Sequence, residues 1–284
     1  MTTHNIRDLD PSASPLDYYG AELRRLREAA NMSQKQLGDC IFVTGSLVGM
    51  IELARRVPTR EFSERVDAAL MTGGILTRLH GLVMRHQLPH WFQPYAEMEA
   101  RATYISTFQT QVVYGLLQTE AYARALLEVD HADKVDEMVA ARLDRQRILE
   151  RQQPPVLCVV LDEALLLREI GSREVMRDQL AHLLNFRERQ WVQIQVLPLS
   201  VGQHAGTIGA FNLLRFDGDP DLFYADGYDC PHMSANSDLI RKRSLGYARL
   251  QAAGLSPEDS AALIARVMEE RYGHQPGPDG RTVA

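Results

Sequence analysis

The chain has 284 residues, room for about two domains, and its 45% hydrophobic and 24% charged side chains describe an ordinary globular protein. The formal net charge of −6 argues against a strongly cationic DNA binder, and no apolar run approaches the ~20 residues of a membrane span. Three cysteines, Cys40, Cys158 and Cys230, form an odd and widely spaced set, which excludes a disulfide framework and fits reduced thiols.

The charge is unevenly distributed. Basic and acidic residues balance at ten each over residues 1–80, so the remaining chain carries the whole −6. The arginines of the first part are bunched as Arg24, Arg25, Arg27 and as Arg55, Arg56, Arg60. A local basic rim of that kind serves phosphates even where the domain total is zero.

Residues 1–15 lack an apolar core, so they are no signal peptide and read as a disordered arm. Asp17 is placed to cap a first helix with Leu23 and Leu26 facing inward. Ser33 with Gln36 three residues on is a capping box, and Leu37 and Ile41 give the second helix its apolar side. Thr44 caps a third helix whose buried side is Val48 and Ile51. Its other side carries Thr44, Gly45, Ser46, Gly49 and Met50. Helices this short need flanking helices to cover them. Thr59 starts one such helix, with Phe62, Val66 and Leu70 at spacing four, and a short amphipathic helix follows over residues 75–84. The unit therefore offers one small polar helix face, as a helix-turn-helix does to a major groove.

Residues 87–95, with Pro89 and Pro94, read as a linker in which Trp91 and Phe92 pin the chain to a neighbour. Beyond it the expected order is helix over 97–102, strand over 103–110, and a helix capped by Thr119. A long charged helix follows over 134–151, with Val135, Met138, Val139 and Leu143 on one side and a solvated charged face on the other. A buried strand follows over 156–161, then a helix over 175–191 and a strand over 192–197. Strands over 210–216 and 222–225 come next, then helices over 237–253 and 257–272, and a disordered tail over 273–284. The expected fold class is α+β and multidomain: an all-α helix-turn-helix domain over 16–86, then a mixed α/β domain over 96–272.

The motifs extend this reading. LRRLREAANMSQKQL, LVGMIE and RRVP resemble the helix-turn-helix of the xenobiotic-response-element, phage-repressor-like regulators. Ser33, Gln34, Leu37, Val48, Ile51 and Glu52 keep that family's pattern. Gly38 stands at its alanine position, Phe42 at its turn glycine and Ala54 at its closing glycine. WFQPYAEMEARA, GLLQTEAYARALL, the GQHAGTIGAF run and LFYADG are similar to the uncharacterised C-terminal domain of an actinobacterial group of such regulators. Together the two resemblances span residues 16–270. They imply a cytoplasmic, homodimeric, sequence-specific transcriptional regulator rather than an enzyme, with operator DNA as partner and no cofactor. The C-terminal domain would take a small-molecule effector or a small partner protein. Members of the group are often encoded beside a small partner protein, which implies an alternative: an antitoxin-like protein that restrains its partner and autoregulates its operon.

In such a regulator Thr44, Gly45, Ser46, Leu47, Gly49 and Met50 would face the groove, and Gln34, Lys35, Arg55 and Arg56 would hold phosphates. None of the six makes a bidentate base contact, so specificity is expected from apolar contacts and DNA shape, with Gly45 and Gly49 providing a flat surface. In the second domain Gly202, His204, Gly206 and Phe211, with Glu163 and Asp226, mark an expected effector or partner site. Three readings remain open there: a tight structural loop, a ligand or partner site, and a hydrolytic site using His204 with Glu163 or Asp226. Cys230, His232 and His204 lack metal-ligand spacing, and no metal is expected.

Overall fold

The structure, a computed structural model, describes residues 10–132, 134–226 and 231–273, the side chain of His131 excepted. The chain divides into two compact units between Pro89 and His90. The first is all helical and the second is mixed, with a six-stranded sheet.

The first unit contains α1 (Pro15–Ala29), α2 (Gln34–Ile41), α3 (Gly45–Glu52), α4 (Arg60–Leu70) and α5 (Ile75–Gln87). Caps start most of them. Ser14, not Asp17, caps α1: its hydroxyl accepts the Asp17 N–H, and Asp17 sits in the first turn. The Ser33–Gln36 capping box is complete, with both reciprocal hydrogen bonds formed. Thr44 and Thr59 cap α3 and α4. Gly74 has no side chain to cap α5, and Asp67 of α4 replaces it by accepting the N–H groups of Leu76 and Thr77 at 3.0 and 2.8 Å. Burial works against the Asp67 carboxylate, but these bonds and those of the Thr72 and Thr77 hydroxyls outweigh it and hold its pKa below the ordinary value. Tyr19, Leu23, Leu37, Val48, Val66, Leu76 and Val83 fill the core.

The two departures from the helix-turn-helix pattern adopt the backbone of the glycines they replace. Phe42 ends α2 in the left-handed region at φ 62°, and Ala54 follows α3 at φ 52°. The Phe42 ring is 87% exposed, so it adds no packing in return for that conformation.

The second unit contains α6 (Gln93–Glu99), β1 (Tyr104–Gln109), α7 (Glu120–His131), α8 (Val135–Gln146), β2 (Val156–Asp162), α9 (Glu163–Leu167) and α10 (Arg173–Asn185). It continues with β3 (Val192–Leu197), β4 (Phe211–Arg215), β5 (Leu222–Ala225), β6 (His232–Ser234), α11 (Ser237–Ala253) and α12 (Pro257–Tyr272). The strand order is β3-β2-β1-β4-β5-β6; the first three strands run parallel and the last three are added antiparallel. Side-chain alternation gives the sheet two covered faces. Ile105, Leu157, Val159, Val196, Leu214 and Tyr224 point to the face packed by α10 and α12. Phe108, Cys158, Val160, Phe211, Leu213 and Phe223 point to the face packed by α11.

Several expected elements are redrawn. The segment read as linker includes the start of α6, and Tyr95 is core. The helix expected over 175–191 is α10, which starts at Arg173 behind the Ser172 cap and ends at Asn185. α9 and β6 are additional. The long charged helix ends as α8 at Gln146 and continues as a short 3-10 turn over Arg147–Glu150. Residues 1–9 of the expected arm and 274–284 of the expected tail lie outside the described residues.

Candidate functional site

The helix-turn-helix is held at a tight crossing by three glycines. A Cβ on Gly38 would stand 2.7 Å from the Val43 carbonyl oxygen, and one on Gly45 2.9 Å from the Lys35 backbone. A Cβ on Gly49 would stand 2.9 Å from Oε1 of Gln34. At Gly45 and Gly49 the position a side chain would take is filled by α2. The flat surface expected from them is corrected: their missing side chains let α3 approach α2.

Gln34 lies beside Gly49. Its Nε2 donates to Oε2 of Glu52 at 2.7 Å. Glu52 is fully buried and also accepts Nε and Nη2 of Arg27 at 2.5 and 3.1 Å. Arg27 in turn donates Nη1 to the Met32 carbonyl at 2.7 Å. Hydrogen bonding to Glu52 outweighs burial and raises the Arg27 pKa. One carboxylate thereby ties α1, α2 and the end of α3 together.

The surface that remains is narrower than expected. Thr44, Ser46 and Met50 are exposed on α3, and Leu47 is half-buried. Lys35, Arg55 and Arg56 are exposed beside them and form no ion pair among the described residues. The other expected rim cations are occupied. Arg25 pairs with Glu22 and Arg60 with Glu64, while Arg24 approaches Glu52 at 3.9 Å.

In the second unit, His204 sits on the α11-covered face. Its Nδ1 accepts the Gly206 N–H at 3.2 Å, and its Nε2 lies 3.7 Å from Oδ2 of Asp162. Its ring meets Phe108 edge-on at 5.5 Å between centroids. Gly206 lies against Phe108, and Phe211 packs beside the same ring at 6.2 Å. Gly202 takes a left-handed φ of 68° in open space. Glu163 does not reach His204; its carboxylate accepts the Leu199 N–H at 2.9 Å and anchors the loop base. Asp226 lies on the opposite side of the sheet, where it accepts the Tyr224 hydroxyl at 2.5 Å. The hydrolytic pairing of His204 with Glu163 or Asp226 is thus corrected. Both ring nitrogens face other groups, and the neighbouring acid is Asp162. His232 stands at the exposed edge strand against Phe223, and Cys230 lies outside the described residues.

A second polar cluster, unforeseen in the sequence, lies on the face that carries Tyr224. The strand register sets Thr107 beside Asn212 and Asn212 beside Tyr224, a polar row on an apolar face. Tyr224 stacks on Tyr95 at 4.0 Å. The Tyr95 hydroxyl meets the Tyr114 hydroxyl at 2.9 Å, and Tyr114 donates to Glu99 at 2.6 Å. Arg145 of α8 closes the chain with Nε and Nη2 on Glu99 at 2.9 and 3.0 Å, above the Phe92 ring. Burial works against the Arg145 charge, but Glu99 outweighs it and raises the pKa. The solvated face expected for this helix is therefore corrected at Arg145. Phe92, Tyr95 and Glu99 come from one sequence motif and Tyr224 and Asp226 from another. Those motifs were the available signal, but nothing in their spacing showed that they meet.

Residues 19–79 match a family model described as a helix-turn-helix domain, and residues 92–266 match one described as a domain of unknown function, DUF5753. No curated protein and no solved structure matches the chain. The second model covers more than half of the 284 residues, and the chain belongs to the DUF5753 family.

Proposed function

We propose that this DUF5753 chain is a sequence-specific transcriptional regulator of the phage-repressor-like, actinobacterial type. It works in the cytoplasm as a homodimer on operator DNA, and its second unit binds an effector or a small partner protein. The helix-turn-helix match points to a DNA-binding regulator rather than an enzyme. The observation that carries the finer reading is the surface of α3. Thr44, Ser46 and Met50 are exposed there, flanked by three cations that no acid of the described chain neutralises. Lys35, Arg55 and Arg56 hold phosphates and fix register, while Thr44, Ser46, Leu47 and Met50 touch base edges and thymine methyls. Gln34 positions the reading helix through Glu52. With no bidentate side chain on α3, specificity comes largely from apolar contact and DNA shape. Arg55→Ala is the test. It is expected to weaken binding to specific and random DNA alike and to flatten the logarithmic salt slope by about one unit. An unchanged slope contradicts the phosphate role.

Homodimerisation follows from the small number of free cations, since two-fold pairing on a palindrome doubles the phosphate contacts. The second unit and the helix over 76–83 are the proposed contacts; Leu76 and Val83 are core, so that helix would use its outer side. The exposed side of that helix is Leu82, which with Leu79, Tyr18 and residues 11–15 lines an apolar groove of about 340 Å³. Sedimentation of the full chain is expected to give a dimer with and without DNA; a monomer in both contradicts the pairing.

The antitoxin-like reading has one observation in its favour. Ile208, 88% exposed, and Leu199 offer apolar side chains on either side of His204 in the chain. A small neighbour-encoded protein that copurifies with the full chain favours this reading, and a bound small molecule favours an effector.

A further inference from the structure

β3 is one edge of the sheet, and its own chain uses only part of that edge. The Leu157 N–H reaches the Trp191 carbonyl at 2.7 Å, so in the parallel register Trp191, Gln193 and Gln195 turn their main chain to β2. Val192, Ile194 and Val196 turn theirs outward. The chain caps both ends of this outward row. The Val192 N–H donates to the Arg189 carbonyl at 3.0 Å and the Val196 N–H to the Ser260 hydroxyl at 2.8 Å, while the Val196 carbonyl accepts the Leu255 N–H at 2.9 Å. Between the caps, the Ile194 N–H and carbonyl and the Val192 carbonyl make no hydrogen bond among the described residues. An open edge of this kind is a template for another strand.

The same stretch borders a groove of about 290 Å³ between the end of α10 and the start of α12. Leu183, Ala261 and Ile264 give it apolar walls, and its charged lining is Arg187, Arg189 and Glu258. A strand antiparallel to β3 would exchange both hydrogen bonds with Ile194 and donate a third to the Val192 carbonyl. Leu255 and Ser260 close the Val196 end, so that strand would leave past Val192 toward the two arginines. Its side chain opposite Ile194 would share the face of Ile194, which is the face packed by α10 and α12.

The chain itself supplies poor occupants. β5 and β6, which residues 227–230 join, lie toward the other edge, at least four strand spacings of about 4.8 Å away, beyond the reach of a four-residue connection. Residues 274–284 begin with Pro276, Gly277, Pro278 and Gly280 close together, which suits a strand badly. A second copy paired symmetrically on Ile194 would set its Val192 against Val196, whose outward groups are already bonded. A separate chain with negative charge fits the two guanidinium groups.

We propose that the groove beside Ile194 takes an extended segment of a partner protein, added to the sheet as a further strand at β3. The segment places an apolar side chain in the groove and an acidic residue, toward its C-terminal end, on Arg187 and Arg189. This rests on the reading that the second unit binds a partner protein, and it adds the surface used and the chemistry of the segment.

The test uses the full chain and a displayed library of random decapeptides. Selected peptides are expected to alternate apolar residues and to carry an acid near the C-terminal end. A bound peptide is expected to slow amide exchange at Ile194 at least tenfold. Ile194→Pro removes the outward N–H and leaves the bonds to β2, as proline does on an edge strand, and is expected to weaken binding at least tenfold. Arg187→Glu with Arg189→Glu is expected to do the same, and decides if Ile194→Pro does not fold. No selected peptide, selected peptides without an acid, equal binding by these variants, or unchanged exchange at Ile194 overturns the proposal. So does an Ile194 amide already protected in the free chain. Release of that protection by ending the chain at Gly273 would assign the groove to residues 274–284, and release by dilution to a second copy. Copurification and operator binding are measured separately, so failure here leaves the partner and regulator readings standing.

Discussion

Glu52→Ala is expected to unfold the helix-turn-helix unit. The Glu52 carboxylate is fully buried and takes hydrogen bonds from Arg27 and Gln34. Removing it leaves the Arg27 guanidinium without its counter-charge inside the unit. Breaking one side of a buried pair costs about 3–5 kcal/mol. A unit of this size rarely has more than about 3–5 kcal/mol in reserve. Calorimetry of the full chain is expected to lose the transition of the first unit, and amide exchange in α1, α2 and α3 to rise sharply. The double variant Arg27→Met with Glu52→Leu is expected to recover most of the loss, because it removes both charges together. A Glu52→Ala chain that melts within about 1 kcal/mol of wild type would contradict this role.

Gly206→Val has the corresponding effect in the second unit. A Cβ at Gly206 would fall 2.1 Å from Cε1 and 2.5 Å from Cδ1 of Phe108. Phe108 of β1 is fully buried on the face packed by α11. Overpacking of this kind costs typically about 1–3 kcal/mol and occasionally more, and valine adds two further methyl groups. The second unit is expected to lose stability in urea while the first unit keeps its own. Gly202→Ala is the contrast: its Cβ meets nothing within 4 Å, so its cost is backbone strain alone, about 1–3 kcal/mol at φ 68° and ψ −123°. Equal stability of Gly206→Val and wild type would show that the loop has room there, contrary to the packing around Phe108.

Much of the fold could be read from local signals. The Ser33–Gln36 box and the Thr44, Thr59 and Thr119 caps start their helices where expected, because a cap is decided within four residues. The buried strand β2 was legible as an apolar run, and the α+β class followed from the order of elements. What failed depended on which way a side chain points across the fold. Gly45 and Gly49 lie on the only apparent polar side of α3, but the crossing with α2 turns their open positions inward. Arg145 sits in a helix rich in charge, and only the approach of α6 gives it a buried carboxylate. The separation of His204 from Asp226 was within reach of the sequence. Asp162 shares parity with Cys158 and Val160, whereas Asp226 shares parity with Leu222 and Tyr224. Strand parity assigns the two acids to opposite faces once it is known which residues of each strand face α11.

The reading of α3 is tested most directly by Ser46→Glu. Ser46 is exposed in the first turn of α3 and its side chain makes no hydrogen bond among the described residues, so the fold does not depend on it. An acidic side chain near a helix N-terminus is neutral or stabilising, by about 0.3–1 kcal/mol. In the groove the same carboxylate would stand among phosphates and base acceptors, with Lys35 and Arg55 already engaged. The measurement is the affinity of the full chain for a genomically selected operator, made beside a melting curve of the same sample. The predicted result is an unchanged or slightly raised melting temperature with operator affinity reduced at least a hundredfold, on the order of 3 kcal/mol. Operator binding by Ser46→Glu as tight as that of the wild type would show that α3 does not enter the groove.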